Sequence, residues 1–115
     1  MKETRQIVLV RFPQADLSEG KLRPALLLAK LPGEYDDWLI VMVSSQIQHV
    51  LPDFDEVVRE TDADFADSGL KTASLIRLSR LAVVEGPILL GAIGYISSER
   101  LQRIRSRLAA WLLES

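Results

Sequence analysis

Trp38-Leu39-Ile40-Val41-Met42-Val43-Ser44-Ser45-Gln46 decides the fold. Six apolar residues run without a polar break and stop on three polar ones, a stretch too short for a helix. Such a run predicts a strand buried on both faces. Upstream, Ile7-Val8-Leu9-Val10-Arg11-Phe12, halted by Pro13, reads as a first strand. A polar connection from Gln14 to Leu22 follows, and Arg23-Pro24 then opens a second apolar run, Ala25-Leu26-Leu27-Leu28-Ala29. A proline there is tolerated only at a strand start or edge. Leu31-Pro32-Gly33-Glu34 supplies the turn that leads to Trp38.

Downstream of the decisive strand, residues 48–72 are weakly patterned. Glu56-Val57-Val58-Arg59 is expected to be a short strand and Ala63 to Ser68 a helical turn. Leu75-Ile76-Arg77-Leu78 and Leu81-Ala82-Val83-Val84 read as two further strands, with Gly86-Pro87 as a turn after them. Ile88 to Ile96 reads as a last strand, its Gly91 and Gly94 marking bends or bulges. The period then changes. Leu101, Ile104, Leu108, Trp111 and Leu112 recur every three or four residues, Ser97 is placed to cap, and Glu99 suits the positive end of a helix dipole. Short strands separated by turns and closed by one amphipathic helix predict a mainly β chain: a small closed barrel with a helix packed on it.

A chain of 115 residues has room for one domain, residues 1–115, and one principal site. It has no cysteine, which excludes disulfides, thiolate metal sites and cysteine nucleophiles. Its lone histidine, His49, has no Cys or His partner in the sequence for a metal. No apolar stretch approaches a membrane span, and no secretory signal opens the chain, so a soluble cytoplasmic protein is expected. The net charge of −2 hides an uneven distribution. Residues 53–67 carry seven acids against Arg59 alone, whereas residues 71–115 carry seven basic residues against three acids. A local basic field is able to steer a phosphate ligand whatever the net charge.

Nucleotide-binding loops, GxSxG and His-Glu-x-x-His are absent from the sequence. Gly91-Ala92-Ile93-Gly94 matches a GxxG pattern but lies inside an apolar strand-like run, where a structural role is expected. What remains is polar residues at strand ends, where a scaffold presents them in a cleft. Arg23 begins the second strand, Ser44 and Ser45 end the third, and Arg77 lies within a later one. Brought together, two guanidiniums and a hydroxyl make a phosphate cradle.

The ordered set is more specific than any of its pieces. Ile7 to Pro13, Asp16-Leu17-Ser18, Lys21 to Leu28, Val41 to Ile47, Gly69-Leu70-Lys71, Ser74 to Leu78 and Gly91 to Ser97 together resemble, in register, the MazF/PemK-like toxins of type II toxin–antitoxin systems. The resemblance spans about residues 5 to 112 and implies an SH3-like β-barrel of the MazF/CcdB type. It also implies a homodimer that cleaves single-stranded RNA, mRNA in particular, without metal or other cofactor, by attack of the 2′-hydroxyl on the adjacent phosphate. A cognate antitoxin would silence it.

Carried over by position, Arg23 is the catalytic arginine and Ser44 the phosphate-binding hydroxyl. Arg77, with Ser45, Gln46 and Ser79, is expected at the RNA. Ser79 stands where acid-bearing members place a carboxylate, which leaves the general base open. Glu19, in the first loop, is the candidate replacement. Two other readings share the fold: a catalytically silent RNA-binding or interaction barrel, and a non-nuclease toxin resembling the CcdB relatives.

Overall fold

The computed structural model describes residues 2–11 and 21–115. Six strands form one antiparallel sheet: β1 (Gln6–Arg11), β2 (Leu22–Lys30), β3 (Asp37–Ser44), β4 (Glu56–Val58), β5 (Ser74–Glu85) and β6 (Leu89–Tyr95), in the order β4-β5-β3-β2-β1-β6. Two helices complete the chain, the single turn α1 (Phe65–Ser68) and the long α2 (Ser98–Glu114). The mainly β architecture with its C-terminal helix matches the expectation. Closure does not: β4 and β6 are edge strands with no ladder between them, so the sheet is curled and open.

The decisive stretch behaves as its composition requires. β3 lies between β2 and β5, with Trp38 and Ile40 buried on one face and Val41 and Val43 on the other. Pro24 sits in β2 opposite Leu9, one residue outside the β2–β3 ladder that starts at Ala25 and Met42. The missing N–H therefore removes no bond from that ladder.

Two apolar clusters result. The first joins one sheet face (Ile7, Leu26, Leu28, Val41, Val43, Ile76, Leu78) to Leu101, Ile104 and Leu108 of α2. The second (Val8, Val10, Ala25, Leu27, Trp38, Ile40) contains no helical residue and lies where the sheet curls over itself.

Helix α2 starts where expected, with the Ser97 hydroxyl accepting from the Arg100 N–H at 3.1 Å. Its apolar face is shorter than the periodicity implies. Trp111 and Leu112 are 46% and 64% exposed. At Trp111 the ring contact available is the edge of Phe54, 5.8 Å between centroids.

The two expected strands 75–78 and 81–84 are one strand, β5. Arg77 pairs with Met42 and Leu81 with Val41, so Leu78, Ser79 and Arg80 are accommodated in a single step of β3. Three extra residues is an odd number, and an odd bulge exchanges the two faces of a strand. Ile76 and Leu78 thus join the first cluster, whereas Ala82 and Val84, of the same parity, pack against the second. The Leu78 N–H donates instead to Oδ1 of buried Asp55, at 2.9 Å.

The acidic segment and the basic helix are not separate solvated surfaces. Arg100 is 5% exposed, and its guanidinium makes five hydrogen bonds: Nε and Nη2 to Asp64 at 2.8 and 2.9 Å, Nη2 to Asp62 at 2.9 Å, and Nη1 to Glu56 and the Val57 carbonyl at 3.1 and 3.0 Å. Arg103 and Arg107 also reach Glu56. Most of the helix's positive charge is thereby spent on the acids of residues 56–64 and is not offered to a ligand.

The bond to Arg100 is the main reason the Asp64 carboxyl is held down, at about 2 instead of the ordinary 3.8. Asp62 is held down too, first by the Arg59 N–H and then by Arg100. A carboxylate lowered in the folded state contributes stability that is complete above its unfolded pKa and is lost as pH falls toward its folded one. For Asp64 that window is about pH 4 to 2, and about 2 kcal/mol is at stake. Urea titrations over this window should show stability falling in the native protein, with a shallower fall in Asp64→Asn. At neutral pH Arg100→Met should cost about 3–5 kcal/mol, since it leaves buried carboxylates without their cation.

Candidate functional site

A groove of about 430 Å³ lies at one end of the curled sheet. Its lining comes from Leu9 of β1, the start of β2 (Leu22, Arg23, Pro24), the end of β3 (Val43, Ser44) with Ser45 and Gln46 beyond it, Ile93 of β6, and residues 69–72 with Ser74. The last group forms a wall because of two glycines. A Cβ on Gly69, whose φ is +72°, would lie 2.0 Å from the Ile93 carbonyl oxygen, and one on Gly94 would lie 2.2 Å from that of Asp67. Only glycine lets α1 approach β6 so closely.

From that contact the chain must reach Ser74, the first residue of β5, with β1, β2 and β3 lying between β6 and β5. Residues 69–74, with a turn at Gly69 and bends at Lys71 and Thr72, form a strap between β6 and β5 that lines the groove.

Arg23 and Ser44 are neighbours. Ala25 pairs with Met42, and Arg23 and Ser44 stand two residues farther along their antiparallel strands, so the register sets them side by side on one sheet face. Arg23 is exposed and forms no hydrogen bond or ion pair among the described residues. The Ser44 hydroxyl oxygen accepts from the Gln46 N–H at 3.0 Å. With one lone pair so occupied, its own proton is left to donate outward. The Gln46 side-chain carbonyl accepts from the Gln48 amide at 2.6 Å, which leaves the Gln46 NH₂ group without a partner among the described residues.

Of the residues expected at the site, Arg23, Ser44, Ser45 and Gln46 line this groove together. Arg77 does not. By its pairing with Met42 it lies on the same sheet face as Arg23, two strands away, and its Nε is buried without a hydrogen-bond partner. Ser79, in the β5 bulge, lines a different, apolar hollow with Leu51, Phe54, Leu81 and Trp111. Glu19 lies outside the described residues. Among the described lining of the groove there is no carboxylate. Nor do the described residues contain a group of three or more His, Asp or Glu fit to hold a metal ion. His49 ends the one-turn 3-10 helix Ile47–His49 and does not line the groove.

The lining contributed by Lys71 and Thr72 was not foreseen. Gly69 was its one signal in the sequence: a glycine after a helical turn marks a chain reversal, but its destination depends on the sheet order.

The chain is thus a curled antiparallel sheet with a C-terminal helix, presenting in a groove at its strand ends an arginine that is unpaired among the described residues and an oriented hydroxyl. The family model described as the PemK-like, MazF-like toxin of type II toxin–antitoxin systems matches residues 3–112, and the chain belongs to that family. Solved structures agree in fold. The chain is similar to the Mycobacterium tuberculosis toxin MazF-mt6, with a TM-score of 0.66 and 16% identity over 92% of this chain and 94% of that one. It is also similar to a structure described as an endoribonuclease in complex with its cognate antitoxin from Mycobacterial species. There the TM-score is 0.68 and the identity 12%, over 97% of this chain and 95% of that one. No curated protein matches the chain. No helix among the described residues is long and apolar enough to cross a membrane.

The strap is open to a direct test. Gly69→Ala should be destabilised by more than about 1 kcal/mol, and by more than Gly33→Ala, whose φ of +114° is also positive but whose added Cβ meets nothing within 4 Å. Urea unfolding of the two variants measures the difference.

Proposed function

We propose that the chain is the toxin of a toxin–antitoxin pair and an endoribonuclease that cleaves single-stranded RNA, mRNA in particular, in the cytoplasm. The observation that carries the reading is the juxtaposition of Arg23 and Ser44 in one groove, the first unpaired and the second with its proton free among the described residues. The guanidinium offers paired donors to two phosphate oxygens and the hydroxyl a third contact.

In the reaction, the ribose 2′-hydroxyl attacks the neighbouring phosphorus while a base takes its proton. The 2′-O–P bond forms, the P–O5′ bond breaks, and the departing O5′ is protonated. The nucleophile is already tethered beside its target, so the protein's part is positioning and stabilisation of charge on the phosphate, with no cofactor. Arg23 carries that charge in the transition state, and Ser44 orients the phosphate. Ser45 and the free amide of Gln46 contact the nucleotides on either side. Arg77 and Ser79 remain proposed contacts for RNA beyond the groove. Glu19 is the base to test, the described lining of the groove containing no acid.

An antitoxin is the proposed partner, in keeping with the complex reported for the mycobacterial relative. An acidic segment laid over Arg23 and Arg77 would occupy the phosphate site. A second copy of the chain is the other. Trp111, Leu112 and Leu113 are 46%, 64% and 87% exposed at the end of α2, beside Leu51 and Leu81. Burial of such surface against a twin is favourable. Sedimentation at tens of micromolar should show a dimer; a monomer alone would overturn this.

Incubation with a mixed single-stranded RNA pool should yield fragments ending in a 2′,3′-cyclic phosphate and beginning with a 5′-hydroxyl. EDTA should leave the rate unchanged, and a deoxynucleotide on the 5′ side of the scissile bond should abolish cleavage. Arg23→Ala should lower the rate by ~10² or more, the scale of one lost charge-stabilising donor, and Ser44→Ala by less. Binding of the pool without any cleavage would favour a silent RNA-binding barrel instead.

A further inference from the structure

The groove contains a cation to which no role has been given. Lys71 lies midway along the strap, exposed, and forms no hydrogen bond or ion pair among the described residues. Its state contrasts with that of the basic residues of α2. Arg100, Arg103, Arg105 and Arg107 each donate to a carboxylate or a backbone carbonyl. Even exposed Lys30, at the far end of β2, donates to the Tyr35 carbonyl at 3.1 Å. Lys71 lines the groove from a bent segment anchored at one end through the Gly69–Ile93 contact and at the other by the β5 ladder. Arg23 rises from the strand ends that the strap faces. One groove is thus lined by a guanidinium and an ammonium, neither paired among the described residues, with no described carboxylate to neutralise either.

We propose that Lys71 is a second backbone contact, holding a phosphate next to the one that Arg23 engages, so that the RNA lies along the groove held by two cations. The proposal rests on the ribonuclease reading and deepens it. An ammonium is a point charge with rotatable donors and binds phosphate without demanding one orientation, which suits a site that tracks a backbone and not a base. A positively charged groove following successive phosphates is the usual device for single strands. Lys71 thereby acts as a positioning residue. It does not touch the reacting phosphorus, and it fixes the register in which the scissile phosphate meets Arg23 and Ser44.

Each phosphate neutralised on a single strand contributes about 0.7 to the slope of log affinity against log salt. The probe is a mixed-sequence pool of 2′-O-methyl oligonucleotides, which keep their phosphates and lack the attacking hydroxyl. Native protein, Lys71→Ala, Lys71→Arg, Arg23→Ala and, as a control away from the groove, Lys30→Ala are titrated over a range of salt. Lys71→Ala should bind more weakly with a slope smaller by about 0.7, Lys71→Arg should restore both, and Lys30→Ala should match the native protein. A merely structural role for Lys71 would leave the slope of the folded protein unchanged. If Arg23→Ala lowers affinity and slope while Lys71→Ala changes neither, the second contact is wrong and the ribonuclease reading survives. If the native protein neither binds the pool nor cleaves RNA, both fall.

Discussion

The Asp64–Arg100 contact is the constraint on which the remaining architecture depends. Asp64 precedes α1, accepts from the Ser97 N–H at 3.0 Å where α2 begins, and takes two bonds from Arg100 within the first turn of that helix. One side chain thus fixes the positions of both helices relative to each other. Glu56 and Asp62 complete the guanidinium's shell, so β4 and the loop after it are fastened to α2 by the same residue. A cluster of this kind is not strong evidence of net stability, because the charges are costly to desolvate. Its effect is on geometry: with all donors of Arg100 satisfied, few alternative arrangements of these segments satisfy them equally.

The functional consequence follows along the chain. Holding Asp64 in place sets the direction of α1, α1 delivers Gly69 to β6, and from Gly69 the strap must cross to Ser74. The groove wall is therefore determined at a charge cluster on another part of the molecule. The same cluster pairs Arg100, Arg103 and Arg107 of α2 with acids, whereas Arg23 and Lys71 of the groove have no such partner among the described residues.

Much of this was legible in the sequence. The run at 38–43 reads as a doubly buried strand and is one, and the spacing from Leu101 to Leu108 reads as a helix face and buries as one. Arg23 and Ser44 were recognisable as strand-end residues, and the antiparallel order makes them neighbours. Other features depend on topology and had no local signature. Ser79 and Arg80 interrupt an apolar pattern, which reads as a break between strands, whereas Asp55, 23 residues away, satisfies the Leu78 N–H and lets one strand continue. The partners of Arg100 lie 36 to 44 positions upstream, so the blocks of opposite charge read as two surfaces instead of one clasp. Lys71 belongs to a segment whose path is set by which strands it must pass.

The odd count of the β5 bulge also constrains how the length of this chain is free to vary. Because three residues occupy one step, Ile76 and Leu78 serve one core while Ala82 and Val84 serve the other. Removal of one residue from 78–80 would leave an even number and turn the second half of β5 over, bringing Leu81 and Val83 inward and Ala82 and Val84 out. Removal of two would preserve which residues face which core. Related chains that keep this double core should therefore differ in length at the bulge by two residues at a time, a parity rule that applies whatever side chains occupy it.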